Sequence, residues 1–153
     1  MKTTSRCART VVALGMVAVA ATVFATAASD TATERGRLQQ LYNDGNYNDA
    51  YEGYRRLALD PADDARLVGE DLQMALACLG QLSRYNEADA LREAVVEIHA
   101  DNWRLLQAAA RSYMVEGTHH GVIVAGRFER VDHRGAGQWA DATQRDRARA
   151  LAL

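Results

Sequence analysis

Residues 45–50 read Gly-Asn-Tyr-Asn-Asp-Ala, and the Tyr-Asn-Asp-Ala that starts at Tyr47 returns as Tyr-Asn-Glu-Ala from Tyr85, 38 residues later. Before the first copy, Asp44-Gly45 interrupts an amphipathic run, and Asn46 is a favourable capping residue for a new helix. An alanine at the fourth position lets two helix backbones approach closely, because its side chain is small. The repeated tetrad therefore predicts two successive helix hairpins, each with the tetrad at the start of its second helix.

Apolar residues at helical spacing predict a helix on both sides of each tetrad. A capping-box pattern at Thr31 and Glu34 predicts the start of the first helix. The second helix should run from Tyr47 until Asp60-Pro61 ends it, because proline disfavours helical geometry in the residue before it. The remaining helices of this part are predicted over 67–82, from near Tyr85 to Ile98, with an apolar face that continues to Ile98, and from Trp103 to Glu116-Gly117. Asp101 and Asn102 are the capping candidates for the last of these. The apolar residues of 67–82 cover more than one face, which predicts the most buried helix.

The pattern changes after Gly117. The β-branched run Val122-Ile123-Val124 lies among glycines, so Gly121 to Val131 is predicted to form a strand, hairpinned with the segment near Gln138-Trp139. Asp141 and Gln144 form a capping pair for a last helix that runs to Leu153. The sequence therefore predicts a mainly α fold of stacked helix hairpins, with a short β-hairpin before the last helix. That helix has no stop signal, so the chain is expected to be a fragment of a longer protein.

The N-terminal residues predict export. Lys2, Arg6 and Arg9 give a positive start, residues 11–24 form an uncharged apolar run, and small residues follow up to Ala27. This is the pattern of a secretory signal peptide, and the apolar run is shorter than the roughly 20 residues that span a bilayer. An uncleaved membrane anchor is the alternative. The predicted organisation is a signal peptide (1–27), a helical-hairpin domain (28–117) and a strand-plus-helix segment (118–153) of a periplasmic or secreted protein.

Charge narrows the class of partner. After cleavage, 15 Arg stand against 20 Asp and Glu, a net charge of −5. Nucleic acids and anionic membranes attract clustered positive charge, so neither is the predicted partner. No integral membrane span is predicted after cleavage, and Cys78 is then the only cysteine, which leaves no internal disulfide. The expected partner is a protein, either the chain's own downstream domains or another envelope or secreted protein.

The turns resemble the tetratricopeptide pattern, in which a Gly-x-Tyr-x-x-Ala turn separates the paired helices of a repeat of about 34 residues. The resemblance implies stacked hairpins and a third, half copy in the helix that begins at Trp103, where Leu106 is predicted to share one face with Trp103. Leu38 departs from the pattern, since the family prefers a small residue there. The alternative is an unrelated small helical bundle that uses the same turn. The residues predicted to shape the repeat are Gly45, Tyr47, Ala50, Tyr54, Tyr85, Ala88, Ala110, Tyr113 and Gly117.

Four segments are similar to the N-terminal helical region of very large exported bacterial alpha-macroglobulin-like proteins: residues 44–61, 102–109, 123–126 and 145–147. In that family the protease-trapping parts lie far downstream, and this chain contains none of them. The resemblance implies a non-enzymatic interaction or scaffold module at the N-terminus of such a protein, with no inhibitory residue here. The alternative is protease inhibition by the full-length protein.

No residue is predicted to be catalytic or to bind a cofactor. Cys78 and Gln81 have the spacing of an internal thioester, but they lie in a helical stretch that would hold their side chains apart. Cys78 is therefore interpreted as a small buried apolar residue. A nucleophilic Cys78 would also need a base, and His99, at the end of the next helix, has no reason to face it.

No metal ligand is assigned either. The candidates are His119, His120 and His133, but adjacent strand residues point to opposite faces, and zinc needs three or four ligands. Solvated histidines are the favoured interpretation. The acidic loop with Asp60, Asp63 and Asp64 lacks the ligand series of a calcium loop and is interpreted as a solvated linker.

Arginines and tryptophans complete the candidate residues. Arg55, Arg92 and Arg111 are predicted to be exposed on the concave side of the stack and to meet an acidic partner. The run Arg145, Arg147 and Arg149 is interpreted as the solvated face of the last helix. Trp103 and Trp139 are interpreted as core or seam residues, with ligand binding as the alternative.

Overall fold

The computed structural model describes residues 30–115, 119–131 and 137–153. Of these residues, 64% are helical, and a small three-stranded antiparallel sheet precedes the last helix. The predicted mainly α fold is confirmed. Two compact units are distinguished, Met1–Arg37 and Leu38–Leu153, and the packing described below lies within the second. The predicted signal peptide lies outside the described residues, as do Gly117 and His133.

Six α-helices and three strands follow one another in the described part. Helix α1 covers residues 30–43. The elements after it are α2 (Tyr47–Ala58), α3 (Val68–Gln81), α4 (Ala88–Ile98, preceded by the 3-10 turn Tyr85–Glu87), α5 (Trp103–Tyr113), β1 (His120–Val124), β2 (Arg127–Arg130), β3 (Gln138–Asp141) and α6 (Thr143–Leu151).

The turn after α1 is a Schellman motif, the arrangement in which two backbone N–H groups close the end of a helix. Gly45 N–H donates to the carbonyl of Tyr42 (3.1 Å), and Asn46 N–H donates to the carbonyl of Leu41 (2.9 Å). The motif needs a left-handed residue, and Gly45 has a φ of 83°. Glycine is therefore favoured at this position, because it adopts positive φ without steric cost.

The turn after α3 repeats this motif 38 residues later. Ser83 N–H donates to the carbonyl of Gly80 (3.1 Å), and Arg84 N–H donates to the carbonyl of Leu79 (2.9 Å). Ser83 takes the place of Gly45, with a φ of 54°. The internal repeat seen in the tetrads is thus also present in the backbone hydrogen bonds. The second turn contacts the start of α2, because the guanidinium of Arg84 donates to Asn48 Oδ1 of the first tetrad (3.1 Å).

Leu38 of α1 fits against α2 because Gly53 has no side chain. A Cβ built at Gly53 would lie 2.1 Å from Leu38 Cδ2, and Leu38 is fully buried. The small residue that the repeat pattern leads one to expect at Leu38 is thus found on the facing helix. Small residues also meet at Gly69 of α3, where a Cβ would lie 3.0 Å from Ala108 Cβ of α5.

The core is one apolar cluster formed mainly by α2 and α3, which make the most extensive helix contact, and α3 also packs against α5. The predicted apolar face of α2 is buried, from Ala50 through Tyr54 to Ala58. The predicted face of α5 (Trp103, Leu106, Ala110 and Tyr113) is only partly correct: Tyr113 is buried, but Trp103 is 62% exposed, and Leu106 and Ala110 are only half-buried. The helix is turned by about one residue, so that its buried residues are Leu105, Ala109, Ser112 and Tyr113. Ile98, predicted to continue the apolar face of α4, is exposed.

The predicted strand Gly121–Val131 is two strands. Ala125 and Gly126 both have positive φ, 49° and 78°, so the chain reverses between Val124 and Arg127. A two-residue loop with two left-handed residues is the preferred connection of a tight hairpin, because its twist matches that of the strands. The sheet order is β2-β1-β3, and the predicted pairing of this region with Gln138 and Trp139 is present.

The capping predictions hold at one helix and fail at others. Asn102 caps α5, since its side-chain oxygen accepts from the backbone N–H of Arg104 and Leu105 (3.2 and 3.3 Å). Helix α1 already includes residue 30, so Thr31 is not at its start. Asn46 stands at the cap of α2 without a side-chain capping bond. Asp141 precedes the cap position of α6 and accepts from Thr143 N–H (2.7 Å).

Candidate functional site

An open groove of about 360 Å³ lies between the C-terminal halves of α3 and α5, the start of α4 and strand β2. The wall from α3 and the turn after it is mostly apolar, and Val115, half of whose surface is exposed, stands on the opposite side. The described lining residues are Gln73, Leu76, Ala77, Leu79, Gly80, Tyr85, Ala88, Arg92, Arg111, Ser112, Val115 and Arg130.

Three arginines line the groove, and none of its described lining residues is acidic. Arg92 and Arg130 are almost fully buried, at 4% and 3% exposed, whereas Arg111 is exposed. Buried guanidinium groups need partners, because an unpaired buried charge is costly. The two buried arginines meet this need in an ionic cluster behind the groove, formed by Asp89, Arg92, Arg130, Arg145 and Asp146.

Arg92 joins α4 to α5. Its Nε and Nη2 donate to the hydroxyl and the carbonyl of Ser112 (2.9 and 3.0 Å), and its Nη1 donates to Asp89 Oδ1 (2.9 Å). The guanidinium also lies over the ring of Tyr113, 4.7 Å from its centroid. Burial lowers the pKa of Arg92, and the neighbouring Arg130 lowers it further, although Asp89 acts in the opposite direction.

Arg130 joins β2 to α4 and α6. Its Nη1 and Nη2 donate to the two oxygens of Asp146 (3.0 and 2.9 Å), and its Nη2 also donates to Asp89 Oδ1 (2.9 Å). Asp146 is fully buried, and His119 Nδ1 lies 2.9 Å from its Oδ2. The carboxylate of Asp146 is thus surrounded by side chains from two other segments of the chain.

Two pairs of opposite charge, four residues apart on each helix, connect α4 to α6. Arg145 binds Asp89, and Arg149 Nε and Nη2 donate to the two oxygens of Glu93 (2.8 and 2.6 Å). Burial raises the pKa of Asp89, but the hydrogen bond from Arg145 and the charges of Arg130, Arg145 and Arg92 outweigh it, so the pKa lies below its usual range. The pKa of Glu93 is also lowered, chiefly by the hydrogen bond from Arg149.

Comparison with known proteins identifies no relative. No family model, curated protein or solved structure matches the chain. The tetratricopeptide and alpha-macroglobulin resemblances therefore stay predictions. Among the described residues, no helix is both long and apolar enough to cross a membrane.

Of the residues predicted to shape the repeat, Gly117 lies outside the described part, and the others lie in the two turns and in α2, α4 and α5. Ala50, Tyr54, Ala88 and Tyr113 are buried, and Tyr47 packs edge-on against Tyr42 with a ring-centroid distance of 5.3 Å. Two of the set, Tyr85 and Ala88, also line the groove, so the second turn contributes to the candidate site. Ala110 is half-buried, because its neighbour Ala109 takes the core position.

Cys78 is buried in the middle of α3, where burial raises the pKa of its thiol to about 11. Such a thiol carries little thiolate at neutral pH and is a weak nucleophile. Gln81 is exposed at the end of the same helix. His99 Nε2 lies 3.1 Å from the carbonyl oxygen of Ala58, to which it can hydrogen-bond.

The described candidate metal ligands point to different partners. His119 contacts Asp146, while His120 stacks on Trp139 with ring centroids 5.2 Å apart. In the acidic loop, Asp60 Oδ1 accepts from the backbone N–H of Ala62 (2.8 Å). The described part of the chain contains no group of three or more His, Cys, Asp or Glu arranged to hold a metal.

The arginine predictions need two corrections. Arg92 is buried in the ionic cluster, and Arg55 lines a separate depression beside α2, so only Arg111 is both exposed and in the groove. The last helix is not simply a solvated face, since Arg145 and Arg149 bind α4 while Arg147 is exposed. The tryptophans predicted for the core or a seam, Trp103 and Trp139, are 62% and 46% exposed.

Sequence reasoning does not predict the ionic cluster. One local signal exists, because Asp89 and Arg92 are three residues apart on a helix, a spacing that pairs opposite charges. Arg130 carries no such signal, since its partners are 41 and 16 residues away in the chain.

Proposed function

We propose that this chain is a non-enzymatic protein-interaction module, the exported N-terminal segment of a larger protein, and that it binds its partner in the groove. The observation that carries the proposal is the groove itself, an open apolar cavity of about 360 Å³ with walls from four elements. Open grooves between helices bind segments of other proteins through apolar side chains. The partner is a downstream domain of the same polypeptide or another envelope or secreted protein.

Other features support a binding role. Met114 and Val115, both about half-exposed, place apolar surface at the end of α5 beside the groove. Export is supported by the charged and then apolar N-terminal sequence. A non-enzymatic role is supported by the buried thiol of Cys78 and by the engagement of His119 with Asp146.

Blocking the groove tests the proposal. Gly80 lines the groove and a Cβ there would meet nothing within 4 Å, so Gly80→Leu starts a bulky side chain from open space in the groove. Gly36→Leu is the matched control, because Gly36 is also an unobstructed helical glycine but does not line the groove. Peptides selected from a displayed random library on the full chain should bind the Gly36→Leu chain and lose binding to the Gly80→Leu chain.

The outcome is decisive only if both variants fold. Circular dichroism should show the same helix content in both variants as in the unchanged chain. Neither substitution should unwind its helix, because leucine is a better helix former than glycine by about 0.8 kcal/mol. Selected peptides that bind both variants equally would refute the groove as the binding surface.

Protease inhibition is the alternative that follows from the alpha-macroglobulin resemblance. It is tested by incubating the full chain with serine, cysteine and metalloproteases at equimolar ratio. The interaction-module proposal predicts unchanged protease activity, and stoichiometric inhibition by this chain alone would contradict it.

A further inference from the structure

The groove is cationic in a chain that is acidic. The sequence has a net charge of −2 at pH 7, yet the described groove residues include three arginines and no carboxylate. Two of these guanidinium groups are engaged by Asp89 and Asp146 in the cluster behind the groove. The third, Arg111, is not, and among the described lining residues it is the one whose charge is left to meet a ligand.

Arg111 makes no ion pair with any described residue and is exposed on α5 one turn before Val115. Arg92 and Ser112 fix the position of this part of α5, because Arg92 binds both the hydroxyl and the carbonyl of Ser112. The backbone that carries Arg111 is thus held in place next to the apolar lining. Charge complementarity selects a ligand that brings a carboxylate to Arg111 and apolar groups to Leu76 and Val115.

The shape of the groove favours a chain segment over a small molecule. Sites for small molecules enclose most of the ligand surface. Here the cavity is open and Val115 at its rim is 53% exposed, so a ligand would remain in contact with solvent along one side. An extended or helical segment of another protein can place one or two side chains in such a cavity while its backbone stays outside.

We infer that the groove docks an internal protein segment in which apolar side chains enter between Leu76 and Val115 and a neighbouring Asp or Glu pairs with Arg111. This inference rests on the proposed function, since it names the chemistry of the partner for the same groove. The selectivity for an acidic segment resides in Arg111, whereas the apolar contacts supply affinity without regard to charge.

Three capped peptides test the inference: acetyl-SLLDLLS-amide, its Asn analogue acetyl-SLLNLLS-amide and its Lys analogue acetyl-SLLKLLS-amide. Each is titrated into the ¹⁵N-labelled full chain, and the backbone amide shifts of Gly80 and Ser112 report binding in the groove. Decanoate is titrated separately as an apolar carboxylate that is not a protein. The Asp peptide should bind about fivefold more tightly than the Asn peptide, as an ion pair of about 1 kcal/mol allows, and the Lys peptide should bind more weakly still.

Two variants locate this selectivity. Arg111→Glu should reverse the order so that the Lys peptide binds best, and Gly80→Leu should abolish binding of all three peptides. Arg147→Glu is the matched control, because Arg147 is exposed on α6, does not line the groove and undergoes the same change of charge. Its preference for the Asp peptide should be unchanged.

The failures are distinguishable. Equal binding of the Asp and Asn peptides, lost in Gly80→Leu, would overturn the inference while leaving the groove as a protein-binding surface. Binding of decanoate without any peptide binding would overturn both the inference and the proposed function, as would the absence of groove shifts with every probe at millimolar concentration.

Discussion

Helix α3 and helix α6 are held in place by different forces. The buried residues of α3 are apolar apart from Gly69 and Asp71, and they lie in the cluster shared with α2 and α5. Within α6 the only buried residue is Asp146; the helix lies beside α5 and is attached to α4 through the ion pairs of Arg145 and Arg149. The first attachment depends on removing apolar surface from water, whereas the second depends on geometry and charge.

This difference has consequences for stability. Apolar contacts are non-directional, so one lost methylene weakens them by an amount that depends on its volume. A buried ionic contact instead fails abruptly when one partner is lost, because the remaining charge stays buried without compensation. We therefore expect α6 and the sheet to respond to charge and pH and the helical stack to respond to volume.

Removing the buried carboxylate should have the largest effect. Asp146→Ala removes the two carboxylate oxygens of α6 to which Arg130, 3% exposed, donates, and leaves Asp89 as its carboxylate partner. The expected loss is about 3–5 kcal/mol of unfolding free energy, measured by chemical denaturation. Asp101→Ala, at an exposed aspartate, is the control and should change stability little. A loss below 1 kcal/mol in Asp146→Ala would show that the cluster does not hold this region.

In the helical stack, the matching test is a change of volume. Gly53→Ala places a methyl group against the buried Leu38 and should cost about 1–3 kcal/mol through overpacking. Gly36→Ala and Gly80→Ala, where a Cβ meets nothing, should instead gain up to about 1 kcal/mol of helix propensity. Combined with Leu38→Ala, the Gly53→Ala change should cost less than it does alone, and strict additivity would argue against the contact.

Acid should weaken the ionic attachment first. The carboxylates of Asp89 and Glu93 have lowered pKa values in the folded protein, so their contribution is complete above the unfolded pKa of about 4 and is lost as the pH falls through the lower folded values. Amide hydrogen exchange in α6 should therefore accelerate below pH 4 before exchange in α3 does. Glu93→Gln should reduce this pH dependence, and Glu97→Gln, one turn further along α4, should not.

The smallest expected change in stability comes from exchanging the left-handed residues of the two Schellman turns. Ser83→Gly should raise stability by about 0.5–1 kcal/mol, because glycine removes the steric cost of a left-handed residue. Gly45→Ser should lower stability by a similar amount, since it gives the first turn the residue of the second. Thermal melts of the two variants and of the double variant measure both. Opposite signs are required if the two turns are equivalent.

The helices could be predicted because their determinants are local. Periodicity along the chain indicates the apolar face of α2, and the Asn102 cap needs only two following N–H groups. The rotation of α5 could not be predicted, because Leu105 and Leu106 are equally apolar and the choice between them depends on where α3 lies. The tight reversal at Ala125-Gly126 could not be predicted either, because alanine seldom adopts positive φ.

The candidate site was only partly predictable. Arg111, Tyr85 and Ala88 could be named from the sequence, but the groove exists because α3 packs against α5 and β2 lies against the second turn, and no local pattern indicates those contacts. Likewise, charges at Asp89 and Asp146 have the same appearance in the sequence as solvated charges. Only the three-dimensional arrangement distinguishes an arginine that is bound in the ionic cluster, such as Arg92, from one that is exposed to a ligand, such as Arg111.

Leu38 and Gly53 show how two facing helices can keep close contact when neither position alone carries the residue that a consensus would require. The space between α1 and α2 at their contact depends on the side chains at Leu38 and Gly53 together. A large residue on one helix can therefore be accommodated by a small residue on the other. A consensus sequence that scores each position separately counts these two compensating residues as two mismatches, although the two helices still pack closely. Relatives of this hairpin are therefore better sought by the summed size of facing residues than by the residue at either position.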